Sequence, residues 1–259
     1  MTKKAEIEYL DKIGEEGVIH AVNKPYSDSN RGGLFMELGA VMTLMPPPPA
    51  RVLECGCGTG GTSCILARCG YDVTGIDIAP RMIHYSEQNR LRGGLDNARF
   101  VEGDFEEAGF SSEFDCVLFF GSLHHAESEA SAVKAAYNAL KPGGFFVASE
   151  PGLGHHLRRV AKDAMEKYGV TEKDMTPKKM WKAGREAGFT DFRVYPRSQV
   201  LSVITYPNES YDTEGRMVDF MRRNILAGPL RTLAAIFLFV VFKRFDGIVV
   251  MRKPGTGII

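Results

Sequence analysis

The stretch Arg51–Cys69, RVLECGCGTGGTSCILARC, constrains the fold more than any other part of the chain. Arg51–Glu54 is a short run of β-branched and leucine residues, the composition of a buried parallel strand. Four glycines, Gly56, Gly58, Gly60 and Gly61, then fall within six residues. Behind them Thr62–Arg68 carries helix formers with apolar residues at helical spacing. Strand, glycine turn and helix in that order bring backbone N–H groups to a helix N-terminus, and glycine lets a ligand touch the main chain there. Two ligand classes fit. Gly56, Gly58 and Gly61 satisfy the G-x-G-x-x-G spacing of a dinucleotide site, with Asp77 about twenty residues on for a ribose hydroxyl. Glu54, however, aims a carboxylate into the turn, which repels a pyrophosphate and suits a cation.

Read as E-x-G-x-G-x-G, the segment Glu54–Gly60 resembles motif I of the class I S-adenosylmethionine-dependent methyltransferases. The resemblance implies a cofactor whose ammonium and sulfonium match the carboxylate. It implies a doubly wound α/β domain, with a mostly parallel seven-stranded sheet of order 3-2-1-4-5-7-6 and an antiparallel last strand. By the same resemblance Glu54, Gly56, Gly58 and Gly60 hold the methionine end, Asp77 the ribose, and Asp104 with Phe105 the adenine. Cys57, Ile78 and Phe120 are further implied cofactor contacts.

Later segments agree with that family in order and spacing. Asp72–Asp77 reads as a second strand ending in an acid that can accept from both ribose hydroxyls or cap the helix begun by Pro80. Ala98–Glu102 is a third strand, and the Gly103-Asp104-Phe105 after it has no counterpart in the dinucleotide fingerprint. Phe114–Phe120, FDCVLFF, is a fully apolar fourth strand. Ligands of open parallel sheets lie outside the strands' carboxyl ends, so Gly121–His125 should face the reactive end of the cofactor. His125 is a candidate general base on a substrate hydroxyl or amine, with packing on the cofactor or a backbone hydrogen bond as its plain alternative. If the segment is extended, His124 and His125 point opposite ways and only one enters the pocket. Lys141–Gly144 before the fifth strand, Phe145–Ser149, is a further family-like feature. Glu150 at that strand's end is a second candidate for substrate contact. His155 and His156 add another histidine pair, but no metal-type spacing accompanies them and no metal is expected.

The domain reading has four parts: residues 1–45 a helical lid, 46–204 the cofactor-binding core, 205–246 an insertion on the substrate side, and 247–259 the last strand and tail. Within the lid, Asn23–Gly33 reads as irregular chain. Tyr26 and Arg31 there could reach the methionine end, Arg31 pairing with its carboxylate, or lie in a solvated loop. In the insertion, Leu233–Phe242 is ten consecutive apolar residues flanked by Arg231, Lys243 and Arg244. That is too short for a bilayer span, which takes ~20 residues, and buried helix is the preferred reading. A wall for an apolar substrate, a homodimer contact or a lipid-facing patch are the alternatives.

Composition sets the remaining bounds. Thirty-two acidic residues balance thirty-two basic ones, so no global field recruits nucleic acid. Five cysteines without a C-x-x-C pair, and a charged start (MTKKAEIEYLDK) with no signal-peptide core, suit a reducing, cytoplasmic compartment. Methyl transfer from S-adenosylmethionine to an oxygen or nitrogen of a small molecule is the expected activity. A nicotinamide-dependent oxidoreductase and a silent cofactor-binding scaffold are the rivals.

Overall fold

The computed structural model describes residues 3–198 and 246–255, together with Leu230, Leu233, Ala234, Ile236, Phe237, Val240 and Val241. Seven strands form one sheet: β1 (Arg51–Cys55), β2 (Asp72–Asp77), β3 (Ala98–Glu102), β4 (Phe114–Phe120), β5 (Leu140–Glu150), β6 (Thr190–Tyr195) and β7 (Gly247–Arg252). Their order is β3-β2-β1-β4-β5-β7-β6. The β3-β2-β1-β4-β5 pairs are parallel, while β7 runs antiparallel to both β5 and β6. Order and handedness of pairing are those the resemblance implied.

The apolar strands are continuous because both faces of the sheet are covered. On β4, Val117 and Phe119 join one core with Phe146, Val249 and Met251. Their neighbours Cys116 and Leu118 join the other, with Val147, Ile248 and Val250. Period-2 alternation therefore feeds two cores, and no face is left polar.

Helices α1 (Lys3–Ile7), α2 (Tyr9–Lys12), α3 (Gly14–Val22) and α4 (Arg31–Leu44) precede the sheet, and α5 (Gly61–Arg68) and α6 (Pro80–Gly93) follow β1 and β2. Helix α7 (Glu129–Ala139) connects β4 to β5, and α8 (Arg159–Tyr168) and α9 (Pro177–Ala187) connect β5 to β6. Local chemistry explains their ends. Ser128 accepts from the Ser131 N–H at the start of α7, and Thr176 from the Lys179 N–H at the start of α9, where Pro177 takes the first position. Asn23–Gly33 is irregular only in part, since α4 already begins at Arg31.

The first three helices lie against the carboxyl ends of the strands. The Thr171 N–H donates to Glu6 Oε1 at 2.7 Å, the Thr59 hydroxyl to the Ala21 carbonyl at 2.7 Å, and Asn89 Nδ2 to the Val22 carbonyl at 3.0 Å. Arg81 on α6 pairs with Asp11.

The sequence alone places a sixth strand within Phe189–Ile204; Thr190–Tyr195 is observed, and the part of that stretch past 198 lies outside the described residues. Most of 205–246 lies outside them as well. The described members of the apolar run correct the buried-helix reading: Leu233, Ile236, Phe237, Val240 and Val241 are 48–67% exposed. Among the described residues no helix is long and apolar enough to cross a membrane.

Candidate active site

The carboxyl ends of β1, β4 and β5 open onto a cavity of about 630 Å³. Its floor is the glycine turn, with Glu54, Gly56, Cys57, Gly58, Thr59 and Gly61 in the lining. Gly56, Gly58 and Gly60 have φ of +69°, +54° and +79°, conformations that side chains resist. Gly56 is also sterically committed, since a Cβ there would lie 2.6 Å from Ser122 Cβ. The turn is closed by its own bonds. The Gly56 and Cys57 N–H groups donate to the Ile76 carbonyl at 2.8 and 3.1 Å, and the Gly60 N–H to the Cys57 carbonyl at 3.0 Å.

Glu54 sits under this turn, 3% exposed, with the Ser63 hydroxyl donating to its carboxylate. Burial pushes its carboxyl up to about 8 against that hydrogen bond, and the charge of Asp77 adds to the rise. At neutral pH the group is mostly protonated, and a cation in the cavity would pull it to the ionised form. Asp77 accepts from the Gly58 N–H at 2.8 Å and from the Ala79 N–H at 3.0 Å. It thus braces the turn and the entry to α6 at once. Burial raises its carboxyl despite these two donors. Burial likewise pushes the thiols of Cys55 and Cys57 up, so neither is a ready nucleophile.

The sequence-predicted residues divide into three groups. Glu54, Gly56, Cys57, Gly58 and Phe120 line the cavity together, and Gly60 caps α5 behind them. Asp77 and Ile78 are half-buried at the next strand end. Asp104 and Phe105 do not line the cavity: Asp104 pairs with Lys3 of α1, and Phe105 stands edge-on to Phe119 at 5.5 Å. Tyr26 and Arg31 do not line it either. Tyr26 is 60% exposed against Phe35, and the Arg31 guanidinium folds back onto the Asp28 carbonyl at 3.3 Å. An arginine does line the cavity, but it is Arg197, whose Nε lies 3.3 Å from Glu37 Oε1. Glu37 is buried in α4 and accepts from the Ser149 hydroxyl. Its one sequence signal was a single acid inside the apolar stripe of that helix. Tyr9 and Tyr168, also in the lining, gave none.

Beyond β4 the chain makes a 3₁₀ turn, Leu123–His125, instead of an extended segment. His124 and His125 consequently stack, with ring centroids 4.0 Å apart, where extension would have sent them opposite ways. Glu150 is fully buried and consumed locally, which removes it as a substrate contact. It accepts from the N–H groups of Ser122 at 3.0 Å and Leu123 at 2.9 Å, and lies 2.7 Å from His124 Nδ1. Burial alone would lower His124, but its bonds to Glu150 and Glu172 carry it up to about 9. The same contacts, with His155, hold the Glu172 carboxyl far below the usual range despite its burial. Glu172 was not legible as a functional residue, because its role depends on segments distant in sequence. Among the described residues, ligand atoms of His124, His125 and Glu172 come within 4.8 Å of one another, although no metal-type spacing shows in the sequence.

The family model for a methyltransferase domain matches residues 48–189, more than half of the chain. The chain belongs to the class I S-adenosylmethionine-dependent methyltransferases. Among curated relatives, a ubiquinone biosynthesis O-methyltransferase of Paracidovorax citrulli is 34% identical over 112 residues, 42% of this chain and 47% of that protein. An uncharacterized methyltransferase, YodH of Bacillus subtilis, is 30% identical over 165 residues, 63% of this chain and 66% of its own. The chain thus spans about half to two thirds of the length of these relatives. In fold it is similar to phosphoethanolamine N-methyltransferase 2 of Haemonchus contortus, solved in complex with S-adenosyl-L-methionine. The TM-score is 0.65 at 18% identity, over 98% of this methyltransferase and 60% of that one.

Proposed function

We propose that this methyltransferase transfers the methyl group of S-adenosylmethionine to an oxygen or nitrogen nucleophile of a small molecule. The observation that carries the reading is Glu54, a buried acid at the floor of a cavity walled by a glycine turn. An ammonium or sulfonium there would draw Glu54 to its ionised form, whereas a pyrophosphate would oppose that ionisation and gain nothing from the acid. Gly56 and Gly58 would admit the methionine end, with Lys24 and Arg197 in the cavity lining as candidate cations for its carboxylate. Asp77 would take the ribose hydroxyls on lone pairs its two amide partners leave free. Asp104 and Phe105 would meet the adenine once Lys3 lets go. The sulfonium supplies an electrophilic methyl, so the chain's task is to align the acceptor with it in a dry cavity. His125, half-buried next to Glu6, is the candidate base for acceptors that must lose a proton.

Exposed Leu233, Ile236, Phe237, Val240 and Val241 support an apolar or lipid-linked acceptor, with a second copy of the chain as the competing occupant of that face. Five unpaired thiols suit a cytoplasmic setting. Thermal unfolding with S-adenosylmethionine, S-adenosylhomocysteine, NADH and NADPH in parallel tests the assignment, because a ligand of the native state alone must raise the midpoint. A rise with the first two is expected. A rise with a nicotinamide alone would replace methyl transfer by hydride transfer, and no rise with any would favour a scaffold.

A further inference from the structure

We propose that His124, His125 and Glu172 form a site for one divalent transition-metal ion of the zinc type, at the carboxyl ends of β4 and β5. Two imidazoles and one carboxylate are the donors such ions prefer. His124 Nε2 lies 3.4 Å from Glu172 Oε2. That is close to the edge of a tetrahedron built on metal–ligand bonds of ~2.0–2.1 Å. Ligand atoms of all three residues lie within 4.8 Å of one another, somewhat wider than that edge, so the cluster contracts on taking up an ion.

The surroundings are those of a metal site. Glu150 fixes His124 through Nδ1 at 2.7 Å and is itself held by the backbone N–H groups of Ser122, Leu123 and His124. This carboxylate–histidine pairing presents the opposite ring nitrogen outward to a ligand. On the other side His155 Nε2 meets Glu172 Oε2 at 2.6 Å and orients that carboxylate. His125 supplies the independent sign. Its Nδ1 is buried with no hydrogen-bond partner among the described residues, and Glu6 Oε1 stands 3.6 Å away. A proton shared between His124 and Glu172 satisfies those two groups but leaves His125 unused, whereas a metal ion uses all three. Glu6, Glu150 and Glu172 surround the cluster with carboxylates, and the His125 side chain is 31% exposed, which gives an ion both attraction and a way in. Three protein ligands leave a fourth position open, the arrangement of sites that take a further oxygen ligand.

With an ion bound His125 is a ligand and no longer a free base, so the two roles given to it are alternatives; the test concerns ion binding alone and uses no S-adenosylmethionine. The full chain, stripped with a chelator and dialysed, is titrated with Zn²⁺ against a chromophoric competitor, and separately with Co²⁺ while visible absorption is recorded. One equivalent of Zn²⁺ at micromolar affinity or tighter is expected, with a Co²⁺ spectrum of a low-coordinate N/O site and a raised unfolding midpoint. Glu172→Gln and His125→Ala should each weaken Zn²⁺ at least tenfold, and exposed His156→Ala should leave it unchanged. His125 is part-exposed, so its alanine variant decides the matter even if Glu172→Gln fails to fold. Absence of a stoichiometric site, or equal affinity in the folded His125→Ala variant, overturns the proposal and leaves a proton-bridged network in its place.

Discussion

Two acids near the carboxyl ends of the strands, Glu54 and Asp104, are held in different ways. Around Glu54 the glycine turn and Ser63 lie within ten residues of one another, and their geometry is fixed by positive φ angles and short-range hydrogen bonds. Asp104 is covered by Lys3, which arrives from about a hundred residues away and is held by a part-exposed ion pair. One setting is covalently local and stiff, and the other depends on where α1 rests. A backbone-encoded site persists wherever the N-terminal helices rest, while a side chain answering to a distant helix can be masked or released.

The strongest blow to the stiff setting is Gly56→Val. The side chain would meet Ser122 at 2.6 Å in a backbone conformation that valine avoids, so cofactor binding should vanish and the unfolding midpoint should fall. The strain alone is worth about 1–3 kcal/mol. Retained binding in that variant would show that the turn is not the floor. Next in size is Asp77→Ala, which should weaken S-adenosylmethionine by about 1.5–3 kcal/mol in calorimetry, since it removes charge-assisted bonds and loosens the turn at Gly58.

Glu54 gives a prediction with a sign. Its folded value of about 8 lies above the ordinary 4.5, so the native state holds the proton more tightly than the unfolded chain. Its contribution to stability is greatest below about 4.5, declines as pH rises toward about 8, and is constant beyond. Glu54→Gln should flatten that decline in melting curves. S-adenosylmethionine works against it: near pH 7 binding should release close to one proton through Glu54, read as a buffer-dependent heat, and Glu54→Gln should abolish the release. The smallest effect belongs to the loose setting. Lys3→Ala should change affinity for an adenine-bearing ligand by less than about 1 kcal/mol, in the favourable direction and less so at high salt. A large loss would mean that Lys3 helps to hold the ligand.

Legibility from sequence follows the same division. The turn and the ends of α9 were readable, because glycine spacing, the Thr176-Pro177 start and the Gly188 stop are short-range statements, whereas strand order came only with the family resemblance. Glu54, Cys57 and Phe120, expected at the cofactor, line the cavity. Tyr26 and Arg31, for which the sequence left a reach to the methionine end and a solvated loop both open, stand outside the cavity lining because the path of the chain before β1 is set by contacts with Thr59 and Asn89, which no local pattern announces. The stacking of His124 on His125 required knowing that the chain coils there. Glu172 and Arg197 enter through segments that meet only in the folded molecule. The exposed apolar run shows a further limit, since hydrophobicity names a preference for burial without naming the partner that provides it.

The reversed direction of β7 bears on where the chain tolerates change. Because it runs against β5 and β6, the chain leaves β6 at Tyr195 and re-enters the sheet at Gly247 on the same edge, the one bearing the cavity. Arg197 and Asp246, 3.9 Å apart, mark the two ends of that excursion. Residues between them can be added, removed or exchanged without shifting a single strand register.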